Sequence, residues 1–449
     1  MARRAPLIDE TIIVDENRSA ELSIHQRSSV AREGLHVRDL QLRDFRSYRD
    51  LSLTIDARPI ILVGPNGAGK TNLLEAISLL APGRGMRSAE LEELSHRAPD
   101  QPFLDKAENS GGHLPLADPV PTAPGAAAWT IHAQMSGPQG SFALGIGLDP
   151  LADNARRLSR IDGRPATASE IGAQIRVIWA TPSMDRLFTG GATDRRKFLD
   201  RLALGFAPHH GPIANQYEKA MRDRQRVLEE NGDNVWLNAL EARMAETGSA
   251  LAATRVEVLH LLQSALERRG DSLFPQADLD LSGSLERAFL VGQPAAQVEA
   301  DFLEHLRTNR YRDRAAGRCL DGPHRADLLA RHRRIGREAG ECSTGEQKAL
   351  LISILLGFAR ASKDHFGQAP LILLDEAGAH LDATRRAALC VELQELQAQA
   401  WLTGTDPHLF HDFGDQAQAF WVENNRLDAI SLLPGAASAF QRSERNRHS

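Results

Sequence analysis

The stretch Pro59-Ile-Ile-Leu-Val-Gly-Pro-Asn-Gly-Ala-Gly-Lys-Thr-Asn-Leu-Leu-Glu-Ala-Ile-Ser-Leu-Leu80 decides how the rest of the chain is read. It opens on a continuous apolar run to Val63 that ends at a glycine, the pattern of a strand buried on both faces. It closes with Leu73, Leu74, Ile77 and Leu80 on one face of a helix. Between them Gly64-Pro65-Asn66-Gly67-Ala68-Gly69-Lys70-Thr71 has the spacing GxxxxGK[ST]. Glycines at these positions let the backbone curl so that successive N–H groups converge on phosphate oxygens, and Lys70 brings a positive charge to the β and γ phosphates of a nucleotide. Thr71 then offers a hydroxyl to Mg²⁺, and the helix aims its positive end at the same anion. A chance glycine-rich turn would lack both the strand before and the helix after.

Two later stretches complete this chemistry. Pro370-Leu-Ile-Leu-Leu-Asp375-Glu376 reads as a second buried strand ending in paired acids. Asp375 is placed to hold the metal together with Thr71, and Glu376 to polarise the attacking water as general base. Cys342-Ser-Thr-Gly-Glu-Gln-Lys348 precedes an apolar helix over Ala349–Ala359. Ser343 and Glu346 stand in the S-x-x-E relation of a capping box, which accounts for both without a ligand. Ser343 and Gly345 also set a hydroxyl and a bare backbone at the positive end of a helix, a second anion site.

Around these motifs the 449-residue chain has room for two or three domains. Its 42% hydrophobic and 25% charged residues exclude wholesale disorder and fibrous repeats. No apolar run reaches the length of a membrane span, and no secretory signal follows the first arginines. Three cysteines without metal-like spacing, Cys319, Cys342 and Cys390, point to a reducing, cytoplasmic setting. Period-two alternation over 36–55 predicts a strand pair, and Trp129–Met135, Ser141–Leu148 and Gln174–Ala180 read as strands. From about 194 to 269 the pattern supports two or three long helices; Ala277–Leu285 and Ala288–Val291 read as strand-like, and Ala295–Arg310 as a helix.

In its order of P-loop, Ser-x-Gly-Glu-Gln and Leu-Ile-Leu-Leu-Asp-Glu, the chain resembles the ATP-binding-cassette (ABC) ATPases. About 270 residues separate Thr71 from Ser343, a separation similar to that of the SMC-like branch, where a lobe or coiled coil interrupts the head. A finer resemblance, to the RecF family of bacterial recombination mediators, rests on several stretches. They are Leu42-Arg-Asp-Phe-Arg-Ser-Tyr48, Gly69-Lys-Thr-Asn-Leu-Leu-Glu-Ala-Ile77, Ser183-Met-Asp-Arg-Leu-Phe188, Arg195-Arg-Lys-Phe-Leu-Asp200, Gly322-Pro-His-Arg325 and Asp375-Glu-Ala-Gly-Ala-His-Leu-Asp382. The resemblance implies an α/β fold, an ABC-type P-loop ATPase head interrupted by a mainly α-helical second lobe. Composition alone reads 1–34 as a disordered extension and the Pro/Ala-rich stretch near 98–128 as a flexible loop, both longer than the family pattern needs; the first part of the head spans 35–185. A helical lobe at 186–310, the second part of the head at 311–433 and a frayed tail at 434–449 follow.

The same resemblance implies slow ATP hydrolysis as a conformational switch. Gly64 to Thr71 and Asp375 would serve ATP and Mg²⁺, with Lys70 and Glu376 catalytic. Ser343 and Gly345 would cap the nucleotide of a second subunit in an ATP-dependent homodimer, and Asp382 would lie in the loop that communicates across it. Implied partners are double-stranded and gapped DNA, RecR and RecO, in loading RecA during recombinational repair, replication restart and the SOS response. ABC ATPases often carry a histidine after the next strand; here Thr405 and Asp406 stand there instead. Arg46 and Ser47 either approach nucleotide or DNA or are solvated in a hairpin. A transporter ATPase keeps its motifs in one compact head, and an SMC arm needs long heptads that this insert lacks. The alternative is an ABC-class switch for protein interaction without DNA binding.

Lys and Arg total 53 and Asp and Glu 59, a net −6 that by itself argues against nucleic acid as a partner. Between Arg307 and Arg337, however, ten arginines face three acids, a local +7. Such a run is either a solvated face or the place where DNA is held.

Overall fold

A computed structural model describes residues 34–96, 129–149, 156–269, 272–378 and 381–433. The expected extension before Gly34, the loop near 98–128 and the tail at 434–449 lie outside the described residues. Strands β1 (His36–Phe45) and β2 (Tyr48–Thr54) form the expected hairpin. A register shift between Val37 and Asp39 lets Val37, Leu40 and Leu42 all face inward, although their spacing breaks strict alternation. β3 (Ile60–Val63) feeds the glycine loop and α1 (Lys70–Ser78). β4 (Thr130–Gly137), β5 (Gly140–Asp149), β6 (Arg156–Ile161) and β7 (Arg164–Pro165) extend the hairpin into one antiparallel sheet. After α2 (Ala168–Gln174) comes β8 (Val177–Ala180).

The helical region follows as α3 (Ala192–Phe206), α4 (His210–Glu229) and α5 (Asn234–Arg268). β9 (Ala277–Ser282), α6 (Ser284–Leu290), α7 (Ala295–Thr308), α8 (Arg310–Ala316), β10 (Asp327–His332) and β11 (Arg337–Glu338) come next. The chain ends its described course with α9 (Thr344–Phe366), β12 (Leu371–Leu374), α10 (Ala383–Leu396), β13 (Ala400–Gly404), β14 (Gln418–Glu423) and β15 (Arg426–Ile430). Among the described residues no helix is long and apolar enough to cross a membrane.

The central sheet has the order β15-β14-β3-β13-β12-β8, parallel throughout except at the edge strand β15. Its strands divide their side chains between two cores. Ile61, Val63, Ile372, Leu374 and Leu402 face α3, α5, α9 and α10, while Ile60, Leu62, Leu371, Leu373 and Trp401 face α1 and the antiparallel sheet. This is why Pro59–Val63 and Pro370–Leu374 carry apolar residues without alternation. Each fully buried leucine or isoleucine contributes roughly 2 kcal/mol, so the two strands that present the loop and the acids are pinned from both sides.

A third core is built differently. Tyr217, Met244, Leu251, Phe302 and Leu306 form a small apolar cluster, and beside it Arg224, 1% exposed, donates to Glu241, Asp313 and the Leu306 carbonyl at 3.0, 2.6 and 2.7 Å. Two expectations change here. The lobe does not stop at residue 310, because Asp313 and Cys319 belong to its core. Nor does all of 186–310 belong to it: Phe198 to Ala203 and Val256 to Leu266 pack into the central core, since α5 is long enough to run through both. Ala288–Val291 is largely helical rather than strand-like. So short an apolar run carries no period of its own, and all of it but Val291 falls within α6, whose buried Glu286 pairs with Arg255 at 2.8 Å.

Candidate functional site

The loop leaves β3 through Gly64, where a Cβ would lie 2.1 Å from the Val422 carbonyl oxygen of the neighbouring strand. Gly69 caps α1 with φ 103°, close under the Tyr48 hydroxyl, and no side chain occupies the helix start. Its first N–H groups are therefore left for an anion. Lys70 is 8% exposed, and its Nζ donates to the Gly64 and Pro65 carbonyls at 2.7 and 2.8 Å. Burial lowers its pKa, and the Asp375 and Glu376 carboxylates work against that shift. An ammonium held this way gains from a phosphate that supplies the missing charge.

Thr71 Oγ1 lies 3.1 Å from both carboxylate oxygens of Asp375. Parallel pairing of β12 between β13 and β8 sets Asp375 at the strand end, its N–H bonded to the Ala180 carbonyl at 3.0 Å. Glu376 turns out of the strand in the left-handed region, φ 54°, which exposes its side chain beside the loop. Thr403 holds this bend: its hydroxyl donates to Asp375 Oδ1 at 2.7 Å and accepts from the Glu376 N–H at 2.8 Å. From the other side Lys348, 4% exposed, donates to the Glu376 carbonyl at 3.3 Å and sits 3.6 Å from Asp185. A cavity of about 220 Å³ results, lined by Asn66 to Asn72, Asp375, Glu376, Thr403 and Thr405, with Arg87 at its side. Thr71 and Asp375 present hard oxygen donors side by side, the chemistry that suits Mg²⁺.

Most of the residues singled out from the sequence thus meet in one place. Ser343, Gly345 and Asp382 do not line that cavity. Ser343 starts α9 with the reciprocal box expected: its N–H donates to Glu346 Oε2 at 3.2 Å, and its Oγ accepts from the Glu346 N–H at 3.4 Å. Asp382 caps α10 by accepting from the Arg385 N–H at 2.8 Å. Arg46 is not merely solvated. It makes a two-pronged contact with fully buried Glu75 at 2.9 and 2.8 Å, while Ser47 Oγ accepts from Asn72 at 2.9 Å. Thr403 and Arg87 were missed because each belongs to no spacing pattern; only the fold brings them to the loop.

The arginine run is also redistributed. Arg310 lies at the start of α8 and donates to Glu241, whereas Arg333 follows β10 and pairs with Asp278 at 2.6 Å. Counting charge along the chain overlooked these acids because they come from distant positions. Arg307, Arg314, Arg318, Arg325, Arg334 and Arg337 remain exposed, spread over α7, α8, the segment between α8 and β10, and the β10–β11 hairpin rather than gathered on one element.

Comparison with known proteins gives four consistent matches. Residues 36–112 match the family model described as RecF/RecN/SMC N terminal domain. The DNA replication and repair protein RecF of Mesorhizobium japonicum is 45% identical over 395 residues, covering 87% of this chain and 97% of the relative. The protein of the same name from Agrobacterium fabrum is 43% identical over 393 residues, again covering 87% and 97%. The solved structure of the recombination mediator protein RecF with ATPrS, from the RecFOR pathway, superposes with a TM-score of 0.70 at 18% identity, covering 88% of this chain and 98% of that one. The likeness shows the fold expected from the sequence, a P-loop ATPase head interrupted by a helical lobe.

Proposed function

The chain belongs to the RecF family of ABC-type ATPases, and from that premise we propose that it is an ATP-switched, DNA-binding recombination mediator. In this reading ATP and Mg²⁺ occupy the Lys70 loop and two copies close on two nucleotides. The closed dimer holds duplex or gapped DNA and acts with RecR and RecO in the cytoplasm to load RecA. The observation that carries the dimer is the division of the machinery: Lys70, Thr71, Asp375 and Glu376 meet in one cavity, while Ser343 and Gly345 lie outside it, at the solvent-reaching start of the otherwise buried α9. A second copy would bring them together.

Each residue then has a task. Backbone N–H groups from Gly67 to Lys70 and the Lys70 ammonium hold the β and γ phosphates. Thr71 and Asp375 would hold Mg²⁺, which supplies charge neutralisation for the leaving phosphate. Glu376 accepts a proton from the attacking water, aimed by the Thr403 and Lys348 contacts on its own backbone. Ser343 and Gly345 of the second copy complete the γ-phosphate shell. A protein-interaction switch without DNA is the second reading, favoured by the acids that already engage Arg310 and Arg333.

The test is molar mass by light scattering with and without ATP, for the wild type and Ser343→Arg. The wild type should double its mass with ATP, and the variant should bind ATP yet stay monomeric; a variant that still dimerises removes the shared site. Binding of gapped duplex at two salt concentrations separates the two readings, because phosphate contacts make affinity fall steeply with salt.

A further inference from the structure

Two stretches that mark the family, Ser183–Phe188 and Arg195–Asp200, do not line the nucleotide cavity, and only Asp185 reaches toward it, through Lys348. Part of their content is structural. Arg195 makes a two-pronged contact with Asp327 at 2.8 Å, Arg196 donates to the Ala326 carbonyl at 2.8 Å, and Asp200 takes Arg255 and His210 at 2.8 and 2.9 Å. These contacts tie α3 to α4, α5 and the start of β10, and leave Lys197 and Arg201, among the described residues, without an ion pair, beside Phe198, which packs into the central core.

Those residues, with the Ser183–Gly190 turn, line a cleft of about 620 Å³ between α3 and the turn that follows α1. That size suits a drug-sized ligand or a few side chains. Its walls are largely apolar, with Trp179, Phe198, Met184 and Met86 among them. Arg201 lies across this surface, its guanidinium 4.3 Å from the Trp179 ring centre and 5.2 Å from that of Phe198. It donates to the Trp179 carbonyl at 3.2 Å, but among the described residues no carboxylate comes within ion-pair distance of it. Its Nε is buried without a partner, and so is Nδ1 of His210, a residue 2% exposed on the same wall. Burial pushes the Arg201 pKa down to about 9, the mark of a cation whose counter-charge is missing.

Two further cations, Arg186 and Lys197, stand exposed at the mouth, and among the described residues neither is in an ion pair. The acids on the lining are Asp200, already engaged by Arg255 and His210, and exposed Asp194. An unpaired guanidinium deep against aromatic rings wants a carboxylate on a short stem beside an apolar group, and the cations at the mouth want further negative charge. A nucleic acid would use the rim cations but leave the apolar walls unfilled.

We propose that this cleft is a docking site for an acidic segment of a partner protein, which lays a large apolar side chain along Trp179 and Phe198 and sets a carboxylate on Arg201. This is independent of the dimer and of DNA binding, since it uses none of the residues assigned to either. Fluorescence anisotropy of a fluorescein-labelled peptide bearing Asp-Asp-Leu-Phe tests it. Wild-type protein should bind saturably, Arg201→Met should weaken binding about ten-fold or more, and Lys197→Glu, on the exposed rim, about three-fold or more. Replacing the peptide's acids by Asn, or its Leu-Phe by Ser-Ser, should each abolish most of the binding. Both variants should keep wild-type ATP binding, which reports that they fold; were Arg201→Met to misfold, Lys197→Glu alone decides. Absence of peptide binding up to about 1 mM overturns the proposal, as does binding that neither variant weakens. Loss of oligonucleotide rather than peptide binding in the variants would assign the cleft to nucleic acid, and equal affinity for benzoate would assign it to small acids; either result overturns it.

Discussion

α1 and α9 both begin at sites expected to meet a phosphate, yet they begin in opposite ways. At α1 the capping residue is Gly69, with no side chain over the helix start, and the first turn is open to the loop's concavity. At α9 the Ser343 hydroxyl and the Glu346 carboxylate close the start on themselves. The positive end of a helix is therefore not by itself a phosphate site. One end has given up its own cap so that a ligand can serve as one, while the other is stable without a ligand and presents a carboxylate where a second copy's phosphate would arrive.

The contrast can be broken at either end. The largest effect should come from Lys70→Ala, which removes the buried ammonium beside the open helix start. ATP affinity should fall about a hundred-fold or more by titration calorimetry; a loss under about three-fold would mean that the backbone alone makes the site. Thr403→Val should act on chemistry rather than binding, because it takes the hydroxyl from between Asp375 and the Glu376 N–H. The expected result is a kcat about ten-fold lower with ATP affinity nearly unchanged, and an unchanged kcat would show that the bend at Glu376 needs no such support. The smallest effect is expected of Glu346→Gln, which keeps the cap but removes the charge. Unfolding temperature should hold, while the ATP-dependent dimer tightens by about three-fold in a dilution series. A weaker dimer would mean that the carboxylate assists closure and that the two helix starts are more alike than their caps suggest.

The sequence makes the site legible where one strand and one loop determine it. Pro59–Thr71 and Pro370–Glu376 carry their context with them, and the central sheet forms around them as expected. What was not legible depends on partners far along the chain. β6, with only the two-residue β7 beyond it in its sheet and none of its residues fully buried, carries Arg-Arg-Leu-Ser-Arg-Ile, which shows little strand character. Arg46 looked like a solvated hairpin residue until α1 brought buried Glu75 beneath it. Thr403 sits in an ordinary apolar strand, Ala400–Gly404, and gains its meaning only from the parallel register with β12. The arginines after Arg307 were only partly legible for the same reason, since a charge count along the chain does not see that Glu241 and Asp278 engage Arg310 and Arg333.

α5 runs for 35 residues, which at 1.5 Å per residue is about 52 Å. Glu241, near one end, is held by Arg224 and Arg310 in the lobe; Arg255, further along, is clamped by Asp200, Glu286 and the Pro323 carbonyl. Taken as a lever pivoting near Arg255, such a member has one arm in the lobe and a shorter one lying against α9. A tilt of about 5° would sweep the lobe end through about 3 Å and move the short arm by about half as much. Through α5 the lobe and the helix that carries Ser343 share one continuous member, although the residues of the lobe line no part of the nucleotide cavity.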